Sequence, residues 1–515
     1  MNTSRPAWDP NDWVKRCACC GRRIPEDREV IGISARLRRG TISREWFAAN
    51  APQPRVKTRT TLAALFLASV TLGILGNPGT SPVQLAYTPA PPDNPLKGFV
   101  PYLRDEPTFP HSLEWDYTKL SDLMIGPTNF NWAPLEAKLE AAASRGHQLY
   151  TRFYLEWPGR STGVPRYLID SGLLMRRWTN TNTQPFPPAV DHTPDYEDPR
   201  LRAALTNFIH ALGRRYDGDP RLGFVGLGLL GTWGEWHSHP HDQWFASKTV
   251  QREVMDAYET AFRQTRLVAR YPAGPDDPRY ADNVRRAIGY HDDSFAWATV
   301  HTGRKGEEWF FETRLRSSGA LAKWRTQPIG GEVRPEVWEC LFDEASCVPK
   351  GQEFARCVTV THASWLCNEG VFRGKIDGAA RDRAIRAVQR MGYELHVPQA
   401  NLTLANDRLT VSLIVTNTGV APFYYDWPVE LGAQDSEGRL AATWQTDWKL
   451  TGILPAAPAT LWRFDAGTRA LPPGAYHLLL RSPNPLLNGA ALRFANQSQD
   501  QHREGWLTLG GFQQP

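Results

Sequence analysis

The sequence predicts a TIM-type (β/α)8 barrel followed by a C-terminal antiparallel β-sandwich. Between Asn94 and about Tyr393, short apolar runs alternate with longer amphipathic stretches, which is the signature of α/β structure around a parallel sheet. That stretch, about 300 residues, matches the ~250 of an ordinary barrel with insertions. Beyond Pro398 the pattern changes to period-two alternation, as in Leu409-Thr410-Val411-Ser412-Leu413 and Ala475-Tyr476-His477-Leu478-Leu479-Leu480, with Pro/Gly turns between runs. A doubly wound open sheet competes less well, because no G-x-G-x-x-G or P-loop string occurs at a strand-to-helix turn.

Within the barrel region the strand candidates are Gly98–Leu103, Leu149–Tyr154, Leu222–Leu230, Leu267–Tyr271, Ala287–Tyr290, Pro328–Gly331 and Val358–Ser364. Trp132–Arg145, Pro199–Tyr216, Lys248–Thr265, Glu307–Trp324 and Gly378–Met391 read as helices, because their apolar residues recur at spacings of three and four. The domain expectation is therefore a tail over 1–55, an apolar segment and linker over 56–93, a barrel over 94–393 and a sandwich over 398–515. Packing against the barrel is the expected role of the sandwich, ahead of an independent sugar-binding role.

The 515 residues are 41% hydrophobic and 22% charged, a globular composition that excludes disorder, collagen and coiled coil. The formal charge of +5 is misleading. Residues 1–60 hold 13 Lys and Arg against 6 Asp and Glu, so the rest of the chain carries 46 basic against 48 acidic groups. A main body this close to neutral has no electrostatic footprint for nucleic acid.

Thr60–Leu75 is the only long apolar run; it follows Arg55, Lys57 and Arg59 and ends at Gly76-Asn77-Pro78. Being shorter than the ~20 residues that span a bilayer, it reads as the apolar core of an export signal. The long basic stretch ahead of it fits translation beginning near Val56, or an uncleaved anchor with a basic cytoplasmic tail. The expected location is secreted, periplasmic or at the cell surface, with any membrane contact made through residues 60–75. Cys17, Cys19 and Cys20 form a C-x-x-C-G knuckle with no second pair nearby, too few ligands for structural zinc. Cys340, Cys347, Cys357 and Cys367 are compatible with two bridges in an exported protein or with four buried thiols, and their pairing is open.

The strongest chemical signal is Gly226-Leu227-Gly228-Leu229-Leu230-Gly231-Thr232-Trp233-Gly234-Glu235-Trp236-His237, an apolar strand running into a carboxylate flanked by two indoles. In a barrel that position faces the catalytic mouth. Burial beside aromatic faces would raise the Glu235 pKa, as a general acid requires. Gln327-Pro328-Ile329-Gly330-Gly331-Glu332-Val333-Arg334 repeats the arrangement, with Arg334 placed to keep Glu332 ionised. Glu235 is expected at the end of about the fourth barrel strand and Glu332 at about the seventh. Paired carboxylates are what glycoside hydrolysis uses, with their separation setting retention or inversion.

Arg152, Tyr154, Glu156 and Trp157 close another strand; Arg152 suits a sugar hydroxyl or carboxylate and Trp157 a pyranose face. His291, Asp292 and Asp293 follow the strand ending at Tyr290, and His362, Trp365 and Asn368 follow the presumed last one. The expected sugar subsite comprises Arg152, Tyr154, Trp157, Trp233, Trp236, His237, Asp292 and Trp365. Twelve of the 20 Trp lie between residues 94 and 393, and flat apolar rings with a polar edge suit sugar C–H faces. His237-Ser238-His239-Pro240-His241, with Asp242 or His291, is a competing metal set, but it lacks a helical H-E-x-x-H.

Asn94-Pro95-Leu96-Lys97-Gly98-Phe99, Gly231-Thr232-Trp233-Gly234-Glu235-Trp236-His237, Gly330-Gly331-Glu332 and Asn417-Thr418-Gly419-Val420-Ala421-Pro422-Phe423-Tyr424 resemble the exported bacterial domain-of-unknown-function family 4832. The resemblance runs from about residue 94 to the end. It implies export and a glycosidase-like barrel followed by a β-sandwich, without deciding an activity.

The expectation is an exported carbohydrate-active protein, a glycoside hydrolase with Glu235 as general acid/base and Glu332 as nucleophile or general base. It acts on an oligo- or polysaccharide and needs no cofactor. The alternatives are a non-catalytic glycan-binding surface protein and a metal-dependent hydrolase built on His237, His239 and His241.

Overall fold

In the computed structural model, eight strands run parallel in chain order: β1 Gly98–Val100, β2 Leu113–Lys119, β3 Gln148–Tyr154, β4 Leu222–Gly226, β5 Arg266–Ala269, β6 Ile288–Phe295, β7 Ile329–Val333 and β8 Trp365–Cys367. β8 pairs with β1. Two backbone hydrogen bonds then close the ring from β1 to β2: Leu103 N–H to the Trp115 carbonyl and Trp115 N–H to the Pro101 carbonyl, both 2.8 Å. The structure describes residues 82–515 except 104–107, 182, 184–186, 339, 344–350 and 374–375. The apolar segment Thr60–Leu75, Cys17, Cys19, Cys20 and Cys347 lie outside the described residues.

The outer layer contains helices α1 Ala133–Ser144, α2 Pro199–Tyr216, α3 Lys248–Ala261, α4 Phe311–Ser318, α5 Phe354–Thr361 and α6 Gly378–Arg390. α2 shows why the sequence obliges. Asp198 caps it by accepting from Arg200 N–H, Pro199 occupies the first turn, and Leu201, Leu205, Phe208, Ile209 and Leu212 form one buried stripe. Ser247 caps α3 through the Val250 N–H.

Three local readings change. β2 escaped the pattern because Glu114 and Asp116 interrupt its apolar run. Glu114 is held by Arg145 and His147, while Asp116 pairs with Lys138. Val358–Ser364, read as a strand from its β-branched residues, mostly forms the end of α5. Glu353 caps that helix, which buries Phe354, Cys357, Val358 and Thr361, and the strand begins only at Trp365. An unforeseen hairpin, Met175–Asn180 against Ala189–Pro194, is inserted between β3 and α2. Cys340 is disulfide-bonded, whereas Cys357 and Cys367 are buried free thiols.

The C-terminal strands are β9 Leu395–Ala405, β10 Arg408–Asn417, β11 Glu430–Gln434, β12 Leu440–Gln445, β13 Thr460–Gly467, β14 Gly474–Arg481 and β15 Leu507–Gln514. They form two four-stranded antiparallel sheets, β9-β10-β13 and β12-β11-β14-β15. The first is completed by Val83–Gln84, from the stretch read as a linker, which pairs with β9. One apolar core runs from barrel residues Trp115, Tyr150, Phe224 and Trp365 into sandwich residues Leu413, Phe423, Trp427 and Leu480. The sandwich covers the N-terminal end of the barrel: Tyr425 Oη donates to the Gly223 carbonyl (2.5 Å) and accepts from Arg266 N–H (2.9 Å). The C-terminal ends of the strands point the other way. No helix among the described residues is long and apolar enough to cross a membrane.

Candidate active site

With β2 included, Glu235 follows the fourth strand and Glu332 lies on the seventh. β4 ends at Gly226, four residues short of the sequence reading, and the chain then coils tightly through Leu229, Gly231, Trp233, Gly234 and Trp236, all at positive φ. A Cβ on Gly228 would meet the Phe153 carbonyl oxygen at 2.0 Å, and one on Gly231 the His237 carbonyl oxygen at 2.3 Å. These glycines are what lets the loop fold back on β3 and present Glu235 at the rim.

Four charged side chains meet there. Arg152, from β3, places Nη1 3.1 Å from Asp293 Oδ1 and 3.7 Å from Glu235 Oε1. Arg270, one residue past β5, places Nη1 3.0 Å from Glu235 Oε2 and Nε 2.9 Å from Asp293 Oδ2. Each guanidinium touches both carboxylates, and each carboxylate touches both guanidiniums. His237 Nε2 lies 3.6 Å from Glu235 and His291 Nε2 3.2 Å from Asp293, while Tyr150 Oη bonds His291 Nδ1 at 3.1 Å. Burial lowers the pKa of both imidazoles, so they are neutral near pH 7. Burial alone would raise the Asp293 carboxyl, but Arg152 and Arg270 overcome it and hold Asp293 well below the usual carboxylate range.

Glu332 differs from its neighbours. A carboxyl oxygen of Glu332, a ring nitrogen of His291 and a carboxylate oxygen of Asp293 all lie within 4.8 Å of one another, yet the Glu332 side chain has no hydrogen-bond or ion-pair partner among the described residues. Burial, followed by the negative charges of Glu235 and Asp293, raises its pKa well above the ordinary value, with Arg152 opposing. This favours the protonated form of Glu332, and Arg334, expected to hold it ionised, pairs with Glu336 instead.

The remaining expected residues divide between the site and its support. Trp157 is half-buried and packs edge-on against Tyr117, whose hydroxyl lies 3.4 Å from Arg152; Tyr154 is buried behind Trp157. Trp233 is half-buried with its ring 6.2 Å from His237. Trp236 points into the core, its indole N–H bonded to the Leu227 carbonyl. Trp365 fills the barrel interior against Tyr150, Phe224 and His291. Strand alternation turns Asp292 away from the cleft, where it accepts from Thr299 Oγ1 (2.7 Å) and Ser294 N–H (3.0 Å). Its neighbour Asp293 is the inward carboxylate. His362 stacks on Trp324 and bonds the Val420 carbonyl at the sandwich end, far from the rim. Asn368 bonds Gly370 N–H just past β8.

Glu156 lies beneath the Glu235 loop, fully buried, accepting from Thr193 Oγ1 and Tyr196 Oη, both at 2.5 Å. Burial and the nearby Asp191 push its pKa up to about 8. Tyr196 Oη also accepts from Gly231 N–H (2.7 Å), which ties this carboxyl to the loop.

Sequence reasoning missed Arg270 and Tyr117. Arg270 carried a signal, a charge at the end of an otherwise apolar strand run. Tyr117 lies on the overlooked β2.

His237, His239 and His241 do not converge: the His241 ring stacks on Trp244, and no potential metal cluster among the described residues contains two of the three. His291, Asp293 and Glu332 do converge, but the two guanidiniums on Asp293 already supply the positive charge a cation would bring. His111, Glu114 and His147 also converge near the start of β2, where Arg145 holds Glu114 through both oxygens.

No family model and no curated protein matches this chain. Among solved structures it is similar to endo-glycoceramidase II from Rhodococcus sp., with 11% identity over 72% of this chain and 100% of that one, at a TM-score of 0.36. It is also similar to the endo-beta-1,4-mannanase of Thermotoga petrophila (9% identity, 73% and 89% covered, TM-score 0.32). A third is the endoglucanase Cel5A of Pseudomonas stutzeri (12% identity, 54% and 81% covered, TM-score 0.30).

Proposed function

We propose that this chain is an exported glycoside hydrolase in which Glu332 is the proton donor and Glu235 the anionic partner. The observation that carries the reading is the contrast between two carboxyls at the ends of the fourth and seventh strands, one with an unpaired side chain and pushed toward its protonated form, the other held between two guanidiniums. In glycoside hydrolysis one carboxyl must protonate the leaving oxygen while a second, ionised, attacks the anomeric carbon or activates a water. The charges around the two groups suit these roles and reverse the assignment expected from sequence. Trp157, Trp233 and Tyr117 supply aromatic surface for a sugar ring beside the pair.

Export is supported by the apolar run Thr60–Leu75 and its basic flank, either as a cleaved signal or as an anchor. Membership of domain-of-unknown-function family 4832 is supported by the four quoted motifs. A second reading, glycan binding without turnover, is favoured by the ion pairs that hold Glu235. Assay of wild type, Glu332→Gln and Glu235→Gln against a glycan panel separates the two. The hydrolase reading expects cleavage that both substitutions abolish; affinity for a glycan that wild type never cleaves would leave the binding reading.

A further inference from the structure

We propose that the cleft selects uncharged sugar rings, with Asp293 acting as a resident counter-ion that uses up the anion-binding capacity of Arg152 and Arg270. The inference rests on the carbohydrate reading above and adds the class of sugar.

Two arginines at the floor of a cleft would ordinarily suit the carboxylate of a uronic acid or a sulfate ester, because a guanidinium fork matches such oxyanions. Here both forks are filled. Arg152 contacts Asp293 at 3.1 Å and Glu235 at 3.7 Å, and Arg270 contacts Glu235 at 3.0 Å and Asp293 at 2.9 Å. Two positive and two negative charges cancel, and among the described residues no other Lys or Arg is ion-paired with Glu235, Asp293 or Glu332. An incoming oxyanion would have to displace a carboxylate whose side chain is 3% exposed (Asp293) or 14% exposed (Glu235). Displacement would leave that charge buried and unpaired, a penalty that a second carboxylate in the same place cannot recover.

Trp309 supplies the complementary observation. It is 42% exposed and lines the same small cavity as Arg270, His291 and Asp293. That cavity, about 10 Å³, is too small for a sugar, so it is the exposed part of the indole that offers dispersion contact to the C–H face of a neutral pyranose. Asp293 is thus a positioning residue, acting through the arginines rather than on the substrate, and Trp309 is a specificity-determining one.

The test is calorimetric binding of matched oligosaccharides, neutral gluco-, manno- and xylo-series against glucuronate and galacturonate series, to the full chain at low salt. Wild type is expected to bind a neutral oligomer at least about tenfold more tightly than its uronate counterpart, about 1.4 kcal/mol. Asp293→Asn removes the negative charge that both guanidiniums share and should narrow or reverse that preference by about tenfold, while Trp309→Ala should weaken the neutral ligand by a similar factor. If Asp293→Asn does not fold, the wild-type preference and Trp309→Ala still decide. Uronates bound as tightly as neutral sugars by wild type would overturn this inference alone. If neither class binds, the carbohydrate reading itself fails.

Discussion

At the N-terminal end of the barrel Lys97 and Lys323 are buried, and each ammonium donates to backbone carbonyls: Lys97 to Gln389 and Tyr393, Lys323 to Asn283, Val284 and Arg286. At the C-terminal end Arg152 and Arg270 are buried too, but their partners are the side chains of Glu235 and Asp293. Backbone carbonyls neither titrate nor change partners, so the first arrangement can only hold the fold together. Carboxylates do both, and the second arrangement leaves one carboxyl, Glu332, unpaired. The difference between the ends separates structure from chemistry: the sandwich closes one, and the other holds a charge network beside an unpaired carboxyl.

This contrast can be tested by perturbing one end at a time. The largest effect is expected from Glu332→Gln, which should lower kcat on a cleaved glycan by about a thousandfold, or about 4 kcal/mol, with little change in melting temperature. Lys97→Ala should do the reverse, costing about 3 kcal/mol of stability in denaturant titration by orphaning two buried carbonyls while leaving glycan affinity intact.

A smaller effect concerns the pH dependence of stability. Glu156 has a folded pKa of about 8 against an ordinary 4.5, so the folded state holds the proton more tightly. Its contribution is full below about pH 4.5 and is lost as pH rises through about 8. Wild type should therefore melt on the order of 2–4 °C lower at pH 8 than at pH 5, beyond any trend shared with Glu156→Gln. Parallel melting curves for the two proteins would show that this carboxyl does not titrate as described. The smallest effect is expected for Tyr425→Phe at the sandwich seam, about 1 kcal/mol of stability and no change in turnover.

The sequence was most legible where one force dominates. The α2 boundaries follow from Asp198, Pro199 and the apolar stripe, and the strand-end placement of Glu235 and Glu332 follows from glycine-rich runs ending in acid. It was least legible where a side chain's partner is distant in the chain. Glu114 and Asp116 disguised β2 because Arg145, His147 and Lys138, which neutralise them, lie on and just after α1. Choosing between Asp292 and Asp293 needed the phase of β6, which continues to Phe295, beyond the Tyr290 where its apolar pattern stops. The exchange of roles between Glu235 and Glu332 depended on Arg270, a residue that no motif contained.

The central claim is that Glu332 holds a proton while Glu235 carries the negative charge, and infrared difference spectroscopy reads this directly. Subtracting the Glu332→Gln spectrum from wild type at pH 7 should leave a protonated-carboxyl band, and subtracting Glu235→Gln should leave carboxylate bands. A carboxylate signature for Glu332, or a protonated one for Glu235, would contradict the account.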